Sequence, residues 1–189
     1  LPLVLNFSSM KTLVIFESKY GSTEKYATDI AKRVEADVFP FKKVKWKNIQ
    51  DYDIVVFGSY IRGGKIQKID DFLQHWDELK DKAVLVFASG MGMASKESRD
   101  NLIQTNVLGD YHLRFYQFRG SFDFSKLNFI DRLMFTQSLK IMEAHPELAG
   151  GNAQDMSWVK DNPIEVYDNE KVDRVVDVIQ KIKLGEASK

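Results

Sequence analysis

The stretch Lys11-Thr12-Leu13-Val14-Ile15-Phe16-Glu17-Ser18-Lys19-Tyr20-Gly21-Ser22-Thr23-Glu24 decides how the rest of this chain is read. A short, continuous apolar run is the pattern of a strand buried on both faces. Here it passes through a Ser/Gly/Thr segment into a helical repeat at Tyr26, Ala27, Ile30, Ala31 and Val34. The stretch therefore predicts strand, phosphate loop and helix in direct succession. Amides in the first turn of a helix have no intrahelical acceptor, and the helix dipole adds positive potential there. The hydroxyls of Ser18, Ser22 and Thr23 add polar groups, so the turn from Ser18 through Lys19, Tyr20, Gly21 and Ser22 to Thr23 suits a phosphoryl group. A dinucleotide fingerprint needs three spaced glycines and a P-loop needs Gly-Lys-Ser/Thr; this turn has one glycine followed by serine, which excludes both. A helix cap alone would need one hydroxyl rather than three.

Composition narrows the function classes. A chain of 189 residues fits one domain and can bury about 70% of its unfolded surface. Lys plus Arg and Asp plus Glu both number 27, so net charge asks for neither nucleic acid nor a strongly acidic partner. There is no cysteine, which removes disulfides, thiolate metal sites and thiol redox chemistry, and leaves any redox activity to a cofactor. His75, His112 and His145 are scattered without metal-ligand spacing, so no metal site is expected. No apolar run approaches the roughly 18 residues of a membrane span, and a cytoplasmic location is expected. Residues 1–9 lack a basic n-region and are read as a leader ahead of a natural start at Met10, with residues 10–189 forming a single domain.

Further along, Asp37-Val38-Phe39-Pro40-Phe41 is a weak strand whose proline belongs at a sheet edge. Asp53 to Ser59 and Ala83 to Ala88 are continuous apolar runs, as central parallel strands require. A helix is expected from about Lys68 to Leu79, another from Lys96 to Leu108, and a more polar strand from Leu113 to Phe118 suits the opposite edge. Between Gly120 and a last helix at about Asn169 to Lys183 lies an insertion, about 120–165.

The spacing Val14-Ile15-Phe16-x-Ser18-x-x-Gly21-x-Thr23-x-x-x-Ala27-x-x-Ile30 resembles the FMN-phosphate signature of the flavodoxin family. The resemblance implies an α/β fold: a three-layer, doubly wound sheet of five parallel strands in order 2-1-3-4-5, helices on both faces, and the insertion after or within the fifth strand. It also implies FMN at the carboxyl ends of the strands. Two later loops would frame the ring: Ser59-Tyr60-Ile61-Arg62-Gly63-Gly64, running on to Lys65, and Ser89-Gly90-Met91-Gly92, running on to Met93. Tyr60 is the expected stacking side chain and Met91 or Met93 a softer contact. The second of these loops has no aromatic residue, which implies that one ring face stays open to substrate. Arg62 and Lys65 would place cations by the ring, each worth about 0.7–1.4 kcal/mol to an anionic flavin at about 6 Å for an effective dielectric of about 40–80. No side chain is assigned as catalytic acid or base.

The insertion is aromatic and basic. Leu113 to Met142 carries Arg114, Arg119, Lys126, Arg132 and Lys140 against Asp123 and Asp131, with seven Phe and Tyr residues. Leu127, Ile130, Leu133, Met134 and Leu139 can share a helix face, widened by Phe129, Phe135 and Ile141. Such a stripe packs on its own domain, covers an apolar substrate, or lies on an anionic membrane surface. The Ser-Tyr-Ile-Arg-Gly-Gly loop followed by Phe129-Ile130-Asp131-Arg132-Leu133-Met134 is similar to the menaquinone-dependent protoporphyrinogen oxidases, FMN enzymes of porphyrin biosynthesis. That resemblance implies electron transfer from substrate through FMN to a quinone acceptor, with peripheral membrane contact through residues 120–142. The alternatives are a flavodoxin carrying single electrons between redox protein partners and a flavin-free binding module on the same fold. Strong acidity, the mark of carrier flavodoxins, is missing.

Overall fold

The computed structural model describes residues 9–92, 94–145 and 153–187. Residues 1–8 of the expected leader, Met93, and residues 146–152 of the expected insertion lie outside the described residues. The elements run β1 (Thr12–Glu17), α1 (Ser22–Val34), β2 (Asp37–Pro40), β3 (Ile54–Arg62), β4 (Lys65–Ile66), α2 (Ile69–Leu73), α3 (Trp76–Leu79), β5 (Ala83–Gly90), α4 (Lys96–Thr105), β6 (Arg114–Arg119), α5 (Phe129–Ala144), α6 (Ala153–Asp161) and α7 (Asn169–Lys183). They divide into two compact units, one made of the sheet with α1–α4 and α7, the other spanning Gly120–Tyr167.

The sheet has the order β2-β1-β3-β5-β6 with every pairing on that path parallel, and β4 pairs antiparallel with β3. Set β4 aside and this is the doubly wound order 2-1-3-4-5. The chain leaves β1 for one edge and returns to build the other, so the switch point lies between β1 and β3, the place where open α/β sheets take ligands.

Why the strand sequences are apolar throughout follows from the register. Leu13, Val55 and Val84 are neighbours, as are Ile15, Phe57, Val86 and Phe115, and all face the side covered by α2, α3 and α4, where Ile69, Phe72, Leu79 and Leu102 complete the core. The alternate residues Val14, Val56, Leu85 and Phe87 face α1 and α7. Both helices bury an i, i+3, i+4, i+7 stripe: Thr23, Tyr26, Ala27, Ile30, Ala31 and Val34 in α1; Val172, Val175, Val176, Ile179 and Ile182 in α7. The two helices are joined by Arg33 to Asp173 at 2.8 Å and by Lys183 Nζ donating to the Val34 carbonyl at 2.6 Å.

Two elements differ from the sequence expectation. The helix expected over 68–79 is two short ones, with Gln74 and His75 between them. His75 stacks flat on Trp46, ring centroids 3.7 Å apart, so a tertiary contact interrupts a locally helical pattern. The helix begun at Lys96 stops at Thr105 rather than Leu108, because Val107 takes a left-handed φ of +55° through which no helix continues.

In the unit Gly120–Tyr167, Phe122 and Ile164 form an antiparallel bridge, and Phe135 packs between Phe122 and Phe124 at 5.0 and 5.5 Å. The expected apolar stripe divides. Leu127, Phe135 and Leu139 are buried, whereas Phe129, Ile130, Leu133, Met134 and Ile141 are between 41% and 80% exposed. Trp158 of α6 is exposed as well. Among the described residues no helix is long and apolar enough to cross a membrane.

Tyr26 reads in the sequence as one more apolar position of α1, but its hydroxyl does more. It donates to the Arg119 carbonyl at 2.6 Å and accepts from the Asp168 amide at 2.8 Å, holding together the end of β6 and the residue that caps α7. Tyr26→Phe leaves both groups without that partner, and a loss of about 1–3 kcal/mol in urea unfolding is expected. At the other end of the sheet, Tyr52 donates to Asp37 at 2.7 Å, and its phenol is pushed up from 10.0 to about 12 by burial, by that bond and by the nearby carboxylates of Asp37 and Asp51. A raised phenol favours the folded state in its protonated form. Its contribution is complete below the ordinary value and is lost as pH rises through the window from 10.0 to about 12. Unfolding measured across that window is expected to show a fall in stability that Tyr52→Phe flattens.

Candidate functional site

The register of the central strands brings three chain segments to one place. Glu17, Ser59 and Ala88 are neighbours across β1, β3 and β5, and one step further Tyr60 stands beside Ser89. The turn Ser18–Gly21, the end of β3 and the end of β5 therefore leave the sheet at the same level.

Between β1 and α1 the turn closes on itself, Ser18 Oγ accepting from the Gly21 amide at 3.2 Å. Gly21 has φ +98°, a conformation that only glycine adopts without strain, and a Cβ placed there would meet no atom within 4 Å. The residue is fixed by backbone geometry, and the space over the start of α1 is open. Lys19 and Tyr20 project outward at that turn, with Lys19 Nζ 5.5 Å from the Tyr20 ring centre. This arrangement fits a phosphomonoester: an open helix start, first-turn amides lacking intrahelical acceptors, and hydroxyls from Ser18 and Ser22 beside it.

Thr23 has a different position from its neighbours. It is 1% exposed, and its hydroxyl is 2.8 Å from that of Ser89 in a buried hydrogen bond. This bond ties α1 to the end of β5, joining two of the three segments that the sequence reading assigned to a shared site.

The segment read as a loop from Ser59 to Lys65 is a β-hairpin instead. Ser59, Tyr60, Ile61 and Arg62 belong to β3; Ile61 pairs with Ile66 and Arg62 with Lys65. Gly63 and Gly64 have φ +58° and +77°, the requirement of a two-residue turn with both central residues left-handed. The turn by itself calls for glycine at both positions. Ser59 Oγ donates to the Gln67 carbonyl at 2.6 Å, which commits it to the hairpin. At the next segment, Gly90 ends β5 against Ile61, whose Cδ1 would lie 3.0 Å from an added Cβ, and Met91 and Gly92 follow with Met91 half-buried.

Sequence reasoning missed Asn106. It is wholly buried; its Oδ1 accepts from the Ile66 amide at 2.9 Å, and its Nδ2 donates to the carbonyls of Gly64 at 3.1 Å and Leu102 at 2.9 Å. One side chain thus fastens the hairpin to α4. An asparagine near the end of a polar helix carries no distinctive signal, and its partners in the hairpin lie 40 and 42 residues away.

The electrostatics beside Tyr60 also differ from expectation. A cleft of about 230 Å³ there is lined by Glu17, Tyr60, Gln67, Lys68, Asp70 and Asp71. Lys68 pairs with Asp71 at 2.8 Å, and Lys65 lies 3.7 Å from Asp70 and 3.4 Å from the Thr105 carbonyl. Lys65 is therefore engaged with α2 and α4, and carboxylates outnumber cations in the cleft at Tyr60. Among the described residues no cluster of three His, Cys, Asp or Glu side chains is placed to hold a metal ion.

The Thr23–Ser89 bond is tested by a double-mutant cycle. Either Thr23→Val or Ser89→Ala strands a buried hydroxyl and is expected to cost about 1–3 kcal/mol in urea unfolding. The double variant is expected to cost less than the sum by about 1 kcal/mol.

A family model described as a flavodoxin domain matches residues 13–148 of this chain. An uncharacterized protein of Methanocaldococcus jannaschii is 34% identical over 121 residues, covering 60% of this chain and 81% of that relative. Similar solved structures include the two-electron reduced flavodoxin of Megasphaera elsdenii, 20% identical over 57% of this chain and 84% of its own, with a TM-score of 0.46. Another is a flavoprotein of Lactobacillus acidophilus NCFM in complex with FMN, 16% identical over 58% of this chain and 92% of its own, with a TM-score of 0.41. With the phosphate turn, the hairpin and α4 all inside the matched span, the chain belongs to the flavodoxin domain family.

Proposed function

We propose that this chain is an FMN-binding oxidoreductase. The observation that carries the reading is the convergence of the Ser18–Thr23 turn, hairpin β3–β4 and the end of β5, locked by the Thr23–Ser89 hydrogen bond. Ser18, Ser22 and the first-turn amides of α1 hold the phosphate, with Lys19 and Tyr20 at its outer side, while buried Thr23 fixes the helix start against β5. Tyr60, Ile61 and Arg62 of the hairpin and Gly90, Met91 and Gly92 after β5 would border the flavin ring, with Tyr60 the one aromatic side chain among them. When bound, FMN supplies the hydride and single-electron chemistry; the protein supplies position and field.

The finer reading is an enzyme of the protoporphyrinogen oxidase type, delivering electrons from an apolar substrate to a quinone. Support comes from the aromatic-free loop after β5 and from the exposed apolar residues Phe129, Ile130, Leu133 and Met134 of α5, which suit a lipid surface holding both substrate and acceptor. A specific observation favours the carrier reading. The carboxylates of Glu17, Asp70 and Asp71 around Tyr60 oppose negative charge on a reduced flavin and so favour a low potential.

Purified chain mixed with FMN and freed of unbound flavin by gel filtration is expected to remain yellow, with the flavin fluorescence quenched. Ser18→Ala combined with Thr23→Val is expected to weaken uptake by at least about tenfold, or about 1.4 kcal/mol. No uptake by the unaltered chain would leave the flavin-free module. The loaded protein then separates the two redox readings: turnover of protoporphyrinogen with a menaquinone analogue supports the enzyme, and inertness with a low measured potential supports the carrier.

A further inference from the structure

The outer edge of β6 carries a surface lined by none of the residues assigned above to FMN. β6 ends the sheet, and a cleft of about 630 Å³ runs along it, lined by Ala94, Ser95 and Leu113 to Gln117 together with Lys96, Arg99, Lys171 and Arg174. Counting Arg114, five cations and no carboxylate line this cleft among the described residues, in a chain whose net charge is zero. Arg99 also lies 3.8 Å from Asp100, which stands outside the lining.

The cations stand on both sides of the strand. Phe115 faces the side of α4, where Arg99 lies 6.0 Å from its ring centre, and Gln117 reaches Ser98 at 2.8 Å. Arg114 and Tyr116 share the opposite face with Lys171 and Arg174 of α7. Burial raises the Tyr116 phenol while Arg114, Arg174 and Arg99 pull it down, which places a positive field at that point of the strand. Gln117 is 6% exposed, and its Oε1 has no partner.

We propose that β6 accepts an acidic, extended segment of a partner protein as an added strand. Side chains of such a segment alternate between the two faces of the sheet, so consecutive acids meet Lys96 and Arg99 on one side and Lys171 and Arg174 on the other. A second copy of this chain would bring two basic edges together and be repelled.

The test uses the blocked peptide acetyl-Glu-Glu-Val-Thr-Glu-Glu-Val-amide and amide NMR of the full chain. The expected result is shifts in the β6 amides, binding that weakens with added salt, and at least a tenfold loss for Lys171→Glu with Arg174→Glu in protein whose circular dichroism and FMN uptake are unchanged. Should the charge-reversed pair misfold, the Lys-for-Glu version of the peptide serves instead, and its failure to bind is expected. Absence of binding, equal binding of the basic peptide, displacement by inorganic pyrophosphate with shifts confined to the start of α4, or peptide-independent dimerisation would each overturn the proposal.

Discussion

The structure depends on parallel strands that share one register and are covered on both faces. Because Leu13, Val55 and Val84 stand side by side, so do Glu17, Ser59 and Ala88 further along the same strands. Core packing at one end therefore sets the level at which three loops emerge at the other. A slip of one residue in any central strand would exchange the side chains facing the two helix layers, and large buried groups such as Phe57, Leu85 and Phe87 would no longer fit the spaces opposite them. The site inherits its geometry from that constraint.

Buried polar groups do the remaining positioning, and each joins segments far apart in the sequence. Thr23 meets Ser89, Asn106 holds the hairpin at Gly64 and Ile66, and Tyr26 bridges Arg119 and Asp168. A buried polar atom without a partner costs more than a hydrogen bond gains, so such contacts specify one arrangement rather than merely strengthening it. Tyr26 has a further consequence. Its hydroxyl holds together the residues on either side of Gly120–Tyr167, so the sheet unit is closed where the chain departs and returns.

Charge shows the same contrast between total and arrangement. A balanced composition conceals an acidic cleft beside Tyr60 and a basic one along β6. Lysines that look available in the sequence are engaged: Lys65 with Asp70 and Thr105, Lys68 with Asp71. Local fields act over distances near the Debye length, about 10 Å, so what a bound molecule meets is the lining of its cleft and not the net charge.

By itself, the sequence determined the five strands of the parallel sheet, the starts of α1, α4 and α7, and the family. Short continuous apolar runs bounded by turn residues read as strands covered twice, and α1 and α7 carry stripes whose spacing gives one burial face; α7 runs from Asn169 to Lys183, as its pattern indicated. The phosphate turn was legible because its parts are contiguous: Gly21 needs its backbone conformation, and Ser18 bonds within the turn. Only the tertiary structure decided that Ser59 to Arg62 extend a strand into a hairpin, that His75 breaks a helix on Trp46, and that Ile130, Leu133 and Met134 are exposed while Phe135 and Leu139 are buried. The physical reason is range. Periodicity and turn chemistry are written within a few residues, whereas Asn106, Tyr26 and the Thr23–Ser89 pair act through partners 40 to 142 residues away.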